Sequence, residues 1–216
     1  MIRHALAPVL PAAARALAVP LRLPGLEGVV LTFDDGPHPE GTPAVLELLA
    51  RAGAQAVFFC VGEQVARRPQ LAARIHAAGH ELALHGHRHR LQLRVGARAL
   101  AEDYRRGLAA IADAAGVRPR LHRPPYGIYS APGLELARRH GLGPLLWSRW
   151  GRDWRRHTTP ERIARRALRS PGPGEVILLH DADFYSAHES HRRTAAALEL
   201  ILNGLTSAKL ATVLPA

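Results

Sequence analysis

Gly28-Val29-Val30-Leu31-Thr32-Phe33-Asp34-Asp35-Gly36-Pro37 begins as an apolar, β-branched run and ends in two adjacent carboxylates followed by two turn-forming residues. An apolar run of this length between glycines describes a strand buried on both faces, the habit of a parallel sheet. Gly28 to Phe33 is therefore the expected first strand, with the carboxylates just beyond its C-terminal end. A helix is expected next, from about Thr42 as N-cap, with Pro43 at the first helical position, to Gly53.

Outward from this unit the rhythm repeats. A second strand, Gln55 to Val61, leads to a helical stretch interrupted by Pro69 and closed by Gly79, after which His80 to Leu84 forms a third strand. A long helix from about Ala97 to Ala115 precedes a strand around Arg120, and a helix near Leu134 to His140 precedes Leu142 to Trp147. A helix starting after Thr159-Pro160 precedes Glu175 to Leu179; a last helix, about Arg193 to Leu205, and a last strand, Ala208 to Leu214, complete seven strands. This alternation implies an α/β protein with a parallel sheet, open or closed into a barrel, and either form places function at the strands' C-terminal ends.

The 216 residues suit one domain, and 47% hydrophobic with 22% charged residues excludes a disordered chain. Lys+Arg number 29 against 18 Asp+Glu, a net +11, and Lys209 is the only lysine, so the positive charge is almost entirely arginine. Such a field favours anionic partners. Pairs such as Arg67-Arg68, Arg138-Arg139 and Arg165-Arg166 are scattered among helices, and no zinc-finger or related signature is present, so no specific nucleic-acid partner is expected. Cys60, alone and inside Val57-Phe58-Phe59-Cys60-Val61, excludes an internal disulfide and is expected to be a small buried hydrophobe. Residues 1–25 form an Ala- and Leu-rich lead-in broken by Pro8, Pro11, Arg15 and Pro20, too interrupted for a spanning helix and without a clean cleavage site. A cytoplasmic location or weak peripheral membrane association follows as the expectation.

Each strand end carries polar residues: Asp34-Asp35 after the first, His85-Gly86-His87-Arg88-His89 after the third, Arg123-Pro124-Pro125-Tyr126-Gly127 after the fourth, Asp153-Trp154 after the fifth and His180-Asp181 after the sixth. A hydrolytic metal site needs about three nitrogen or oxygen ligands and an open position. His85 and His89, four apart with a glycine between, are able to grip one ion from a short turn, while Asp34-Asp35 offers one carboxylate for the ion and one for base work. His180 is placed to protonate a leaving group. Singly, each motif is a commonplace turn or strand end; their conjunction in one order is not.

Those motifs together resemble the polysaccharide deacetylases with a NodB homology domain, from about Gly28 to the C-terminus, with residues 26–216 as the domain. The resemblance implies an irregular, incomplete (β/α) barrel of about seven parallel strands. It also implies that Asp35, His85 and His89 hold one divalent transition ion, most often Zn2+ with Co2+ or another as substitute. Asp34 would be the general base held by Arg123, His180 the general acid supported by Asp153, and the Tyr126 backbone N–H an oxyanion donor. Leu178 and Trp154 would wall the acetyl pocket. The implied activity is removal of acetyl from an N-acetylated sugar, polymeric or oligomeric; a deacetylase or deformylase of a lipid-linked or small amide is the alternative, and a non-catalytic carbohydrate-binding protein a further one. Three positions depart from the family pattern: Trp150 where an Asp is usual, Gly86 where Ser or Thr is usual, and Arg90 in place of a proline. His87, between the paired histidines, is expected to face away from the ion.

One divalent ion per chain is the expected stoichiometry. Metal analysis of the purified protein and of His85→Ala checks it, with loss of the ion expected in the variant.

Overall fold

The computed structural model describes residue 14 and residues 16–215. Most of the lead-in's first half, and with it the expected membrane contact, lies outside the described residues. Among the described residues no helix is long and apolar enough to cross a membrane.

Seven strands, β1 (Val30–Asp34), β2 (Ala56–Cys60), β3 (Glu81–Leu84), β4 (Leu121–His122), β5 (Gly143–Pro144), β6 (Arg149–Trp150) and β7 (Val176–His180), form one sheet. Their order is β5-β4-β3-β2-β1-β7-β6, and every pairing is parallel. The helices are α1 (Gly41–Arg51), α2 (Gly62–Arg67), α3 (Pro69–Ala77), α4 (Ala97–Ala115), α5 (Ala131–Arg139), α6 (Pro160–Ala167) and α7 (Ser190–Ser207).

The sheet cannot be flat. Its edge strands β5 and β6 are consecutive in the chain, and the five peptide steps from Pro144 to Arg149 reach at most about 18 Å. Six interstrand spacings laid flat would separate those edges by about 29 Å. The sheet therefore curls until its edges face one another, with Leu145–Ser148 spanning the gap: an incomplete barrel, as the resemblance implies.

Period-two alternation divides its two faces. Leu31, Phe33, Phe58, Cys60, Ile177 and Leu179 join the large cluster under the helices, with Leu198, Ile201 and Leu205 of α7. Val30, Val57, Phe59, Leu145 and Val176 form the smaller interior cluster. Asp34, two pairs of residues on from Val30, and Leu178 and His180, in step with Val176, share that interior parity. Cys60 is buried, as expected.

The count of seven matches the expectation, but its membership differs. Ala208–Leu214 is not a strand; only Thr212 bridges to Val29. The missing member is Arg149–Trp150, too short to leave a periodic signature. Leu142–Trp147 shrinks to Gly143–Pro144 because Leu145 onward leaves the ladder to cross the gap. Thr42 is not a cap either: α1 begins at Gly41 with Glu40 as N-cap. The Thr42 hydroxyl instead accepts from His38 N (2.7 Å) and donates to the Asp181 carboxylate. Thr159 does cap α6, accepting from Arg162 N at 3.4 Å.

Arg123, just past β4, ties the gap shut. It is fully buried; its Nε donates to Leu145 O (3.0 Å), Nη2 to Leu146 O (2.7 Å), and Nη1 to Thr32 Oγ1 (2.8 Å) and Asp34 Oδ1 (2.7 Å). Its guanidinium lies 4.0 Å from the Phe59 ring centroid. Arg123→Met is expected to destabilise the chain by about 3–5 kcal/mol, because it leaves the buried Asp34 carboxylate and two carbonyls without their donor. Urea unfolding measures this; a loss below about 1 kcal/mol would contradict the closure role.

Candidate active site

At the C-terminal ends of the strands, β1 delivers Asp34 in register with His180 of β7. In an undistorted strand Asp35 would face the helices. Its φ of 81° breaks the alternation, an uncommon conformation for a residue with a side chain, and brings both carboxylates to the same centre. Asp35 Oδ1 lies 3.5 Å from His85 Nε2 and 3.3 Å from His89 Nε2, and Asp34 Oδ2 lies 3.8 Å from His85 Nε2.

His85 has a fixed tautomer. Its Nδ1 is 2.7 Å from Arg123 O, a group that can only accept, so Nδ1 carries the proton and Nε2 presents a lone pair toward Asp35. Burial pushes the His89 ring down to about pKa 4, keeping it neutral despite Asp35. Burial alone would raise Asp35, but the close approach of His85 and the positive charge of His180 hold it below the usual carboxylate range. Asp35 Oδ1 is buried without a hydrogen-bond partner among the described residues. One carboxylate oxygen and two imidazole nitrogens, all within 4.8 Å of one another, fit a divalent cation.

The turn presenting the two histidines is held from a distance. Asp103 of α4 accepts from His87 N (2.6 Å) and Arg88 N (3.3 Å) and pairs with Arg90 at 2.9 Å. Gly86 has φ 79°, and a Cβ there would stand 3.1 Å from Asp103 Oδ2, so glycine suits this turn. The His87 ring lies against Gly62, outside the Asp35 cluster. Arg90 thus replaces the family's proline with an ion pair that secures the same loop.

His180 faces this cluster with its own support. Asp153 accepts from His180 N at 2.7 Å, lies 3.0 Å from His180 Nδ1 and accepts from Thr194 Oγ1 at 2.8 Å. Burial opposes protonation of His180, but Asp153, by charge and hydrogen bond, with Asp35 and Asp34 behind it, raises its pKa to about 10. Asp181, next in the chain, lies beneath Gly36; burial and the nearby Asp35 raise it to about 7 against the hydrogen bond from Thr42.

A cavity of about 270 Å3 opens over these groups, lined by Asp34, Asp35, His85, His89, Leu178 and His180 with Tyr126, Trp147, Trp150, Trp154 and Tyr185 around its rim. All the sequence-predicted residues except Arg123 and Asp153 line it; those two stand behind Asp34 and His180. Tyr126 is 59% exposed with φ 62°. Sequence reasoning missed Tyr185, which stacks on His89 (4.1 Å, 9°) and bonds Gln64 and Glu63 at 3.1 Å each, as well as Asp103, Thr194 and Trp147. None stands within a motif, so no local signal marks them.

A second cluster, His38, Asp183 and His191, also brings three ligand-type atoms together. His38 Nδ1 accepts from Glu40 N (3.2 Å) and Gly41 N (2.9 Å), which places its proton on Nε2, 3.3 Å from Asp183 Oδ1. A ring protonated there donates to the carboxylate rather than ligating. With Glu189 N also on Asp183 (2.7 Å), the cluster ties down the loop that carries Tyr185.

The polysaccharide deacetylase family model matches residues 25–145, more than half of the chain. The chain is 37% identical to a chitooligosaccharide deacetylase of Sinorhizobium fredii over 87% of its length and 89% of the relative's. It is 33% identical to a peptidoglycan-N-acetylglucosamine deacetylase of Bacillus cereus over 81% of its length and 79% of the relative's. A family 4 carbohydrate esterase from Streptomyces lividans, solved with acetate, superposes with a TM-score of 0.79 at 30% identity, covering 89% of this chain and 95% of that one. The chain belongs to the polysaccharide deacetylase family, a family of metal-dependent hydrolases.

Because the folded His180 pKa lies above its ordinary 6.5, the proton it holds stabilises the fold fully below about pH 6.5, and that contribution is lost as pH rises through the folded value. Asp153→Asn removes the main charge behind this and is expected to move the alkaline limb of activity down by about one pH unit or more. A pH–rate profile of the variant checks it; an unmoved limb with intact activity would remove His180 from the proton transfer.

Proposed function

We propose that this chain hydrolyses the acetamide of an N-acetylated sugar to a free amine and acetate. The observation that carries the reading is the three-ligand Asp35–His85–His89 cluster, flanked in one cavity by Asp34 on one side and His180 on the other. Asp35, His85 and His89 would hold a divalent ion, zinc by preference for two imidazoles and a carboxylate. When bound, such an ion supplies Lewis-acid polarisation of the acetamide carbonyl and of a water.

The remaining work falls to side chains of the chain itself. Asp34 accepts the proton of the attacking water, and Arg123, bonded to Asp34 Oδ1, holds the carboxylate turned toward the cavity. His180 protonates the departing amine, with Asp153 and Thr194 fixing its ring. The backbone N–H of Tyr126, at the cavity rim, would stabilise developing charge on the carbonyl oxygen. Leu178 and Trp154 line the cavity as apolar walls for a methyl group, which favours acetyl over the smaller formyl. The substrate is an N-acetylglucosamine-containing glycan, as in the relatives' names. Any contact with a membrane would be peripheral.

Acetate release from chito-oligosaccharides and peptidoglycan, with and without added zinc, tests the reading; formate from an N-formyl substitute in preference to acetate would overturn it. Asp34→Asn is expected to keep the ion and lose about 10²- to 10⁴-fold in rate. Asp35→Asn is expected to lose the ion, with partial rescue by excess zinc. Rescue of the first and not the second would reverse the two roles.

A further inference from the structure

A second pocket, of about 330 Å3, lies on the barrel's open side and is lined by Ser148, Arg149, Trp150, Arg152, Arg166 and Arg169. Four of its six lining residues are arginine. Like charges gathered around one pocket sum to a local positive field that favours an anion between them. Arg149 is paired with Glu175 at 3.1 Å, but that carboxylate is shared with Arg22 (3.0 Å) and the Ser148 hydroxyl. Arg152, Arg166 and Arg169 make no ion pair among the described residues; Arg152 instead lies 4.6 Å over the Trp150 ring.

Trp150 lines this pocket and the catalytic cavity alike, so the two share a wall. Trp150 also adjoins Trp154 (5.3 Å between ring centroids) and Trp147 (5.7 Å). Together these rings offer an aromatic surface of the kind that packs against a sugar ring. Guanidinium groups offer paired planar donors matched to phosphate oxygens, and three uncompensated positive charges exceed what one carboxylate balances.

We infer that the arginine pocket is an anion subsite for a phosphate or diphosphate ester carried by the N-acetylated sugar, with Trp150 as the partition between ester and acetamide. The inference rests on the proposed deacetylase reading for its substrate, but the subsite is measurable without turnover. Glucose 1-phosphate, which has no acetamide, is titrated calorimetrically into the zinc-loaded wild type and into Arg166→Gln/Arg169→Gln, whose altered side chains are exposed and outside the catalytic cavity. Binding is expected in the wild type and weaker by about tenfold or more in the variant. In parallel, KM for N-acetylglucosamine 1-phosphate is expected to rise by a similar factor in the variant with kcat unchanged, while both constants for di-N-acetylchitobiose stay put.

Equal binding of glucose 1-phosphate by the two proteins overturns the subsite, since such binding resides elsewhere, for example at the metal. Inorganic phosphate binding as tightly as the sugar phosphate would show a site for the free ion and overturn the substrate assignment. An equal loss on the phosphorylated and neutral sugars would mark a structural effect. Arginine-dependent sugar phosphate binding without acetate release from either sugar would uphold the subsite and sink the deacetylase reading instead.

Discussion

The contact on which the rest depends is the buried pair between Arg123 and Asp34. Neither charge is stable alone in an interior that excludes water, and the four bonds of the guanidinium supply what each surrounding oxygen lacks. Two of those oxygens are carbonyls of the segment that crosses from β5 to β6, so one side chain both bridges the barrel's gap and orients the candidate base. The Arg123 backbone contributes as well, because its carbonyl fixes the tautomer of His85. Closure of the fold and alignment of the site are in this sense one event.

The site divides its titrating groups by what stands behind each. Arginine backs Asp34, imidazoles face Asp35, a carboxylate backs His180, and burial keeps His89 neutral. A cluster of this kind holds an accepting carboxylate and a proton-bearing imidazole on opposite sides of one cavity at the same pH, which general base and general acid chemistry requires. The similar-looking His38–Asp183–His191 cluster lacks that division: backbone donors at the start of α1 occupy His38 Nδ1 and commit the ring to donating. Three ligand-type atoms in proximity do not make a metal site unless their tautomers leave lone pairs pointing inward.

The arginine content takes a local form as well as a global one. Most of the arginines are dispersed over helices, where they raise solubility and attract anions without selecting among them. At the open edge of the barrel β6 with the turn after it, and the end of α6 with the residues just beyond, bring four together beside Trp150, a juxtaposition of residues 149–152 and 166–169 that rests on β6 lying at the sheet edge.

What the sequence determined by itself was the part written in short-range pattern. The apolar run ending in Asp34-Asp35, the histidine pair around Gly86, Arg123-Pro124-Pro125-Tyr126 and Leu178-Leu179-His180 stand at strand ends, and a parallel α/β fold gathers strand ends on one face. The α/β class and the residues of the cluster follow from that. Two-residue strands carry no periodicity, so β6 was invisible and Ala208–Leu214, apolar enough to imitate a strand, took its place. Thr42 looked like a cap because propensity is blind to Asp181, whose carboxylate arrives from 139 residues away to claim the hydroxyl. The tertiary structure alone decided that Asp35 turns through a positive φ to join its neighbour's centre, that Tyr185 covers His89, and that Arg123 bridges the barrel's gap. Each depends on groups far apart in the chain whose burial makes an unpaired donor or charge too costly to leave.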